Sequence, residues 1–506
     1  MRLPGIAVTC AVTLALAAGC GRKGPPPLPE IPRVTAPLAL SVVNPAPGAM
    51  LEPGMAWVSG SAATGGARVR VNGEPVQVRP NGAWIAYVPV PAASAPYFDV
   101  EAEAGGRRAR VRRSVRIAAP AADSTPPADS AAAEQDGAAG EGGAMERWVT
   151  LGAQGAAGPV VARPMPGGTS HWLLLPGTVA RAGETRAGFV RLRLAAGVDA
   201  WVRAVDVRPA AAPPAPAVVS AARVRAEPRG AALFLSIPQP PPFRVEEDGD
   251  ALVLTLYGAT GDLDLVSLAP GDTLVRAVEW AQDAADRLRL TLRLAAPPAG
   301  WSVEWAGGEL AVRVRRAPAG GSLEGVVVAV DAGHPPFGAT GPTGLTESEV
   351  TLDVARRLRD LLEARGARVV MTRTGAGPVS LEARVAAAER AGAGALVSIH
   401  ADAPPAGAEP YALAGSSTRY FHPHSLPLAR AVQRGIAARV GVPDRGVAFQ
   451  DLALARPSGF PAVLCEGATL AIPEHEAALR TPAFRQAWAR GIADGVESYF
   501  TGPRGR

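Results

Sequence analysis

Gly325-Val326-Val327-Val328-Ala329-Val330-Asp331-Ala332-Gly333-His334 is the stretch that decides the fold. Its apolar residues run on without the polar alternation of a half-exposed strand, as a buried parallel strand requires. Downstream, Val350, Val354, Leu358, Leu361 and Leu362 recur at helical spacing and stop at Gly366. Arg368-Val369-Val370-Met371 reads as the next strand, 381–391 as a helix, and Ala395-Leu396-Val397-Ser398-Ile399 as a third strand closing at His400. Strands over 418–421 and 462–465, a helix over 425–440 and a last helix over 484–500 complete the pattern. Strands alternating with helices predict a C-terminal α/β domain over 322–501, with a mixed, mostly parallel sheet flanked by helices.

In such sheets ligands collect at the carboxyl ends of the strands. His334 lies just past one strand, His400 closes another, Glu466 closes a third, and Glu347 opens the helix after the His334 loop. The chain has 6 histidines in 506 residues, so two placed in this way carry weight. Two imidazoles and a carboxylate are a common ligand set for a hydrolytic zinc site with one position open to water. A further carboxylate can then serve as the proton-transfer group. Residue type alone does not choose between Glu347 and Glu349. His422 and His424, flanking Pro423, read as surface or substrate-groove residues rather than ligands, and His171 and His475 as incidental. Cys465, beside Glu466 on a strand, points to the opposite face and into the core. Arg445 with Gly446 reads equally well as substrate-facing or as a turn.

The remaining two thirds of the chain has another character. Gly (57) and Pro (50) are abundant and aromatics make up 5%, which suits β-modules and extended linkers better than one large core. Lys23 is the only lysine, and a net charge of +5 is too dilute to imply nucleic acid, although it suits an anionic wall polymer. Residues 38–118 alternate apolar and polar, with Asn72-Gly73 as a hairpin turn, and resemble a bacterial immunoglobulin-like β-sandwich. Residues 119–145, rich in Ala, Pro, Gly, Ser and acids, read as a disordered linker. Short strands over 146–208 resemble a small bacterial Src-homology-like barrel, and a linker follows at 209–218. The β-rich 219–317, directly before the α/β domain, resembles the AMIN localisation domain of cell-wall amidases. None of these three all-β modules carries a catalytic constellation.

The N-terminus reads as a processing signal. Arg2 precedes an apolar run over 6–18, too short to span a bilayer as a mature helix. The run ends in Leu16-Ala17-Ala18-Gly19-Cys20, which resembles a bacterial lipobox, with Ala17 a mild departure; the alternative is an ordinary signal peptide with an incidental cysteine. The resemblance implies cleavage after residue 19 and acylation of Cys20. Residues 20–37, with Pro25-Pro26-Pro27, would then be a stiff tether. Gly21 after Cys20 favours a periplasmic protein anchored in outer-membrane lipid. Of the 3 cysteines only Cys465 would then stay free, so no intramolecular disulfide is expected.

Within 325–500 a family resemblance becomes specific. Asp331-Ala332-Gly333-His334 followed by Gly344-Leu345-Thr346-Glu347-Ser348-Glu349-Val350 resembles the first zinc motif of N-acetylmuramoyl-L-alanine amidases. Val370-Met371-Thr372-Arg373, Ser380-Leu381-Glu382-Ala383-Arg384, Val397-Ser398-Ile399-His400-Ala401-Asp402, Arg445-Gly446 and Pro461-Ala462-Val463-Leu464-Cys465-Glu466 match its later landmarks in order. The resemblance implies one Zn2+ held by His334, Glu347 and His400, with Glu466 as general base, and it selects Glu347 over Glu349. It implies peptidoglycan as substrate, cut between the lactyl group of N-acetylmuramic acid and L-alanine. Pro335-Pro336 stand where the family usually has Gly-Gly, and Gly467-Ala468-Thr469-Leu470-Ala471 replace its Asn-containing turn. Some members carry a plugging helix after the second His strand; here 401–415 is short and rich in Pro and Ala, so no activator protein is expected to be needed. Two competing readings are a catalytically silent wall-binding lipoprotein and a zinc peptidase acting on another amide. Having all four residues present favours the amidase.

Overall fold

The computed structural model describes residues 26–118, 147–152, 158–318, 320–336 and 338–502. The signal segment, Cys20 and the linker 119–145 lie outside the described residues. Among the described residues before 318 the regular elements are strands and one short 3-10 turn at Ala204–Asp206. Strands between 41 and 117 form a three-stranded and a five-stranded sheet around a shared core that includes Trp84 and Phe98. The hairpin at Asn72-Gly73 is tight: Val71 pairs with Glu74, and the two turn residues take φ of 49° and 86°. Both central residues lie in the left-handed region, as a two-residue hairpin turn needs.

Strands between 147 and 209 form a five-stranded sheet and a two-stranded one; those between 217 and 315 form a five-stranded and a four-stranded sheet. These two groups are packed together, because Tyr257 of the later group lies in the core of the earlier one. Pro209, expected in a linker, pairs with Val149 as the end of a strand.

The last domain carries the alternation read from the sequence. Its strands are β1 (Val327–Ala332), β2 (Arg368–Met371), β3 (Ala395–His400), β4 (Ser416–Tyr420), β5 (Asp444–Phe449) and β6 (Ala462–Glu466). Its helices are α1 (Glu347–Glu363), α2 (Leu381–Arg390), α3 (Leu426–Ala437), α4 (Pro473–Leu479) and α5 (Pro482–Thr501). One six-stranded sheet runs β2-β1-β3-β6-β4-β5. The pairs are parallel except β4 with β6, so the sheet is mixed and mostly parallel. Every residue of β1 is buried, the state its unbroken apolar run predicts.

Two elements were not legible. In β5, Gly446 takes φ of 71° and the register slips between Ser416 and Thr418, so the side-chain alternation is broken. The seven residues of α4 are too few to show a helical period. The tether also differs from the expected free spacer: Leu28 packs against the last domain's core, and the Val34 N–H donates to the Pro80 carbonyl at 2.9 Å.

Helices α3 and α5 cross where Gly435 meets Gly491, and a Cβ added to Gly435 would lie 2.1 Å from the Gly491 carbonyl oxygen. We expect Gly435→Ala to lower the stability of this domain by about 1–3 kcal/mol in urea unfolding, since a packed backbone cannot yield. Gly375→Ala, with open space around it, should change little.

Candidate metal centre

The register of the sheet builds the centre. Ala332 pairs with Ile399 and His400 pairs with Glu466, so the ends of β1, β3 and β6 share one edge. His400 and Glu466 are direct neighbours across parallel strands, and their side chains leave the same face. A Cβ on Gly333 would lie 2.6 Å from the His400 ring, so only glycine lets the His334 loop pass this close. Glu347 is the first residue of α1, where the helix's free N–H groups favour an anion.

Glu347 draws the histidines together. Its Oε1 lies 3.1 Å from His400 Nδ1 and accepts from the Ala401 N–H at 3.0 Å. Its Oε2 lies 3.3 Å from His334 Nε2 and accepts from the Ala339 N–H at 2.8 Å. Burial alone would raise its pKa, but the His334 and His400 rings outweigh that and hold it well below the ordinary carboxylate range. In turn Glu347 raises the pKa of His334. Glu349 is ruled out of the centre, for it is exposed and faces Arg485 at 3.4 Å.

His334 has a left-handed φ of 55°, uncommon outside glycine, and surrounding bonds hold it there. Arg384 Nη2 donates to the His334 and Pro335 carbonyls at 3.2 and 2.9 Å, and Arg373 Nη2 donates to that of Gly333 at 2.9 Å. Beneath them Asp331 accepts from Arg384 at 2.9 Å and from Thr372 and Ser398 at 2.5 Å each. The landmarks containing Arg373 and Arg384 were visible in the sequence, but their work under the His334 loop was not.

Glu466 sits differently from the other three. Its Oε2 is sealed from water and accepts no hydrogen bond. Burial, then the charges of Asp402 and Glu347, push its pKa well above the usual range. The pKa of Asp402 is itself raised by burial, so a second carboxylate neighbours Glu466. The turn after Glu466 is firmly held: Thr469 N donates to His475 Nδ1 at 3.1 Å, and the Gly415 N–H donates to Thr469 Oγ1 at 3.1 Å.

Donor atoms of His334, Glu347 and His400 all lie within 4.8 Å of one another, so the three can hold one metal ion. The set fits zinc in kind: two imidazoles and a carboxylate, with the far nitrogen of His334 fixed 3.0 Å from the Pro336 carbonyl. Their mouth is open, with the His334 and His400 side chains 25% and 17% exposed. The orphaned Oε2 of Glu466 on the adjoining strand also suits a cation-centred site.

Arg445 is the second residue of the edge strand β5, exposed, at the same end of the sheet as Glu466 but two strands away. His422 and His424, expected at the surface, are instead buried against the preceding β-rich region. His475, read as incidental, is buried beside the Glu466 turn. Cys465 is a core residue, as its strand position implied. Among the described residues, 401–415 form turns and no helix.

The fold and donor set define an α/β domain with a His–Glu–His group that could hold a metal ion. The family model described as N-acetylmuramoyl-L-alanine amidase matches residues 328–498. Over 182 residues the chain is 35% identical to the N-acetylmuramoyl-L-alanine amidase LytC of Bacillus subtilis, covering 35% of this chain and 36% of that relative. Protein YqiI of the same organism is 32% identical over 183 residues, 35% of this chain and 86% of its own length. The solved structure of the amidase AmiC2 of Nostoc punctiforme is 30% identical, covers 34% of this chain and 96% of that one, and gives a TM-score of 0.33. Through its last domain the chain belongs to the N-acetylmuramoyl-L-alanine amidase family. It spans about a third of the length of LytC.

Burial pushes the pKa of His475 down to about 4, so it stays neutral in the folded chain while the unfolded chain protonates near pH 6.5. The unfolded state then binds more protons, and stability is complete above about pH 6.5 and lost as pH falls toward 4. The loss from this group should approach about 3 kcal/mol. Urea unfolding of the parent and His475→Gln at pH 7 and pH 5 should show the parent losing more on acidification.

Proposed function

We propose that this chain is a zinc-dependent amidase that hydrolyses the bond between the lactyl group of N-acetylmuramic acid and L-alanine in peptidoglycan, in wall remodelling or septum splitting. The observation that carries the reading is the His334–Glu347–His400 trio with Glu466 in register beside His400, inside a domain of this family. His334, Glu347 and His400 would hold one zinc ion, which when bound would supply a Lewis acid for the scissile carbonyl and a water of lowered pKa. Glu347 compensates charge and fixes both rings. Glu466, kept proton-seeking by burial and by Asp402, takes the proton of the attacking water and hands it to the departing amine. That delivery matters because an amine leaves poorly unless it is protonated. Arg384 and Arg373 hold the His334 loop in place, which supports activity despite Pro335-Pro336.

The rest of the reading concerns placement. We take Cys20 as the acylated first residue of a periplasmic lipoprotein in the outer membrane. The three β-rich regions are read as immunoglobulin-like (38–118), Src-homology-like (146–208) and AMIN-like (219–317) modules. The tether rests on the last domain, since a Cβ on Gly441 would lie 2.1 Å from the Pro26 carbonyl oxygen. The chain between Cys20 and Pro26 reaches at most about 20 Å, so the anchor would hold the enzyme near its membrane. Activity without an activator is the simplest reading of the short 401–415 segment.

Full chain incubated with purified peptidoglycan should release stem peptides beginning at L-alanine, identified by mass spectrometry and lost on chelation. Glu466→Gln should retain zinc yet fall about 10²–10⁴-fold in rate. Release by that variant at the parent rate would remove Glu466 from the chemistry. Zinc-loaded parent that releases nothing would leave the wall-binding reading. Separately, Cys20→Ser should shift the chain from the detergent phase to the aqueous phase and remove the acyl mass from its N-terminus.

A further inference from the structure

We propose a second divalent-cation site, of the zinc class, at the seam between the 217–315 region and the last domain, held by Glu247, His422 and His424. Glu247 lies on the strand Phe243–Asp248, while His422 and His424 follow β4 in and before the turn Pro423–Ser425. Donor atoms of the three lie within 4.8 Å of one another, the same criterion the His334–Glu347–His400 trio meets, and with the same donor chemistry.

The local bonding is of the kind that metal ligands show. His422 Nε2 lies 2.8 Å from the Arg456 carbonyl; a carbonyl only accepts, so Nε2 carries the proton and Nδ1 is left bare. A backbone carbonyl that fixes the tautomer in this way is the usual support of a metal-bound imidazole. Glu247 Oε1 lies 2.6 Å from His424 Nδ1, a hydrogen bond that leaves Nε2 as the free nitrogen of that ring. Glu247 is further oriented by Trp301 Nε1 at 3.0 Å and by the His424 N–H at 2.9 Å.

An independent observation points to a missing partner. The His424 side chain is 0% exposed, and its Nε2 is sealed without any hydrogen-bond partner. A buried ring nitrogen rarely goes unmatched, whether it carries a proton or a lone pair. The two imidazoles stack with centroids 5.1 Å apart, and both residues are buried. Two imidazoles and a carboxylate select zinc-like ions over magnesium or calcium. Enclosure on all sides suits a structural site, unlike the open catalytic mouth. Such an ion would tie the 217–315 region to the turn that leads from β4.

The test is metal stoichiometry on the full chain, stripped, reloaded with zinc, and dialysed against a weak chelator before elemental analysis. The parent should hold about two equivalents, in keeping with two three-residue donor sets. His334→Ala should keep one equivalent, and Glu247→Gln should lose one while its circular dichroism matches the parent. Glu247→Gln is the primary variant because it preserves shape; His424→Ala serves as a second if it folds. Cobalt substitution of His334→Ala should give a tetrahedral visible spectrum that Glu247→Gln combined with His334→Ala lacks. A parent holding one equivalent, all of it lost in His334→Ala, overturns the second site and leaves the proposed amidase centre intact. Equal zinc content in the parent and Glu247→Gln overturns it as well.

Discussion

The carboxylate of Glu347 is the constraint around which the candidate metal centre is built. It is 4% exposed, and an anion taken that far from water is costly unless both oxygens are matched. Four matching groups come from two separate segments: His334 and the Ala339 amide from the loop after β1, His400 and the Ala401 amide from the end of β3. To satisfy one side chain, the loop after β1, the first turn of α1 and the end of β3 must all converge. The same convergence presents two imidazoles and a carboxylate to a single point, so what stabilises the anion also creates the metal-binding geometry. Asp331 and Arg384 perform the supporting task one layer down, where each of these buried charges has the other as counter-ion.

This layer also explains how the chain tolerates Pro335-Pro336. Proline offers no N–H, so such a loop cannot donate into its own turn. Its carbonyls are free to accept, and Arg384 supplies the donors to both His334 and Pro335. The loop is thus held from beneath by a guanidinium rather than by its own backbone. A glycine pair would allow more conformations; two prolines and a forked donor allow few.

Much of the last domain was legible because its information is periodic. The buried run in β1, the apolar spacing in α1 and the position of His400 at a strand end each follow from burial of one face or both. Glu347 was chosen over Glu349 only by family likeness, since residue type says nothing of which carboxylate turns inward; the exposed position of Glu349 supplies the physical reason. β5 escaped because a glycine with positive φ and a register slip break its period, and α4 because it is one short turn sequence behind a proline. The histidines misread as surface residues were misread for a different reason. His422 and His424 are polar and next to proline, and their burial depends on a partner, Glu247, about 175 residues earlier in sequence.

That last error has a general cause in how the regions pack. Alongside side-chain pairs such as Glu247 with His424, Arg79 with Glu474 and Ser170 with Asp451, many of the contacts that fasten the earlier strands to the last domain end on backbone groups. Trp57 Nε1 donates to the Pro405 carbonyl at 3.1 Å, and the Tyr87 hydroxyl to that of Gly407 at 2.9 Å. Trp301 N donates to the Ser458 carbonyl at 2.7 Å, and Arg315 to that of Ala393 at 2.8 Å. A main-chain acceptor is present at every residue and leaves no mark in the sequence. Separate modules on linkers were therefore the natural reading of composition, while the structure ties them, beyond Ala393 and His424, to the segments 403–411 and 450–461. The first follows His400 and the second leads into the strand that ends at Glu466. The strands that carry His400 and Glu466 are thereby braced from outside their own domain.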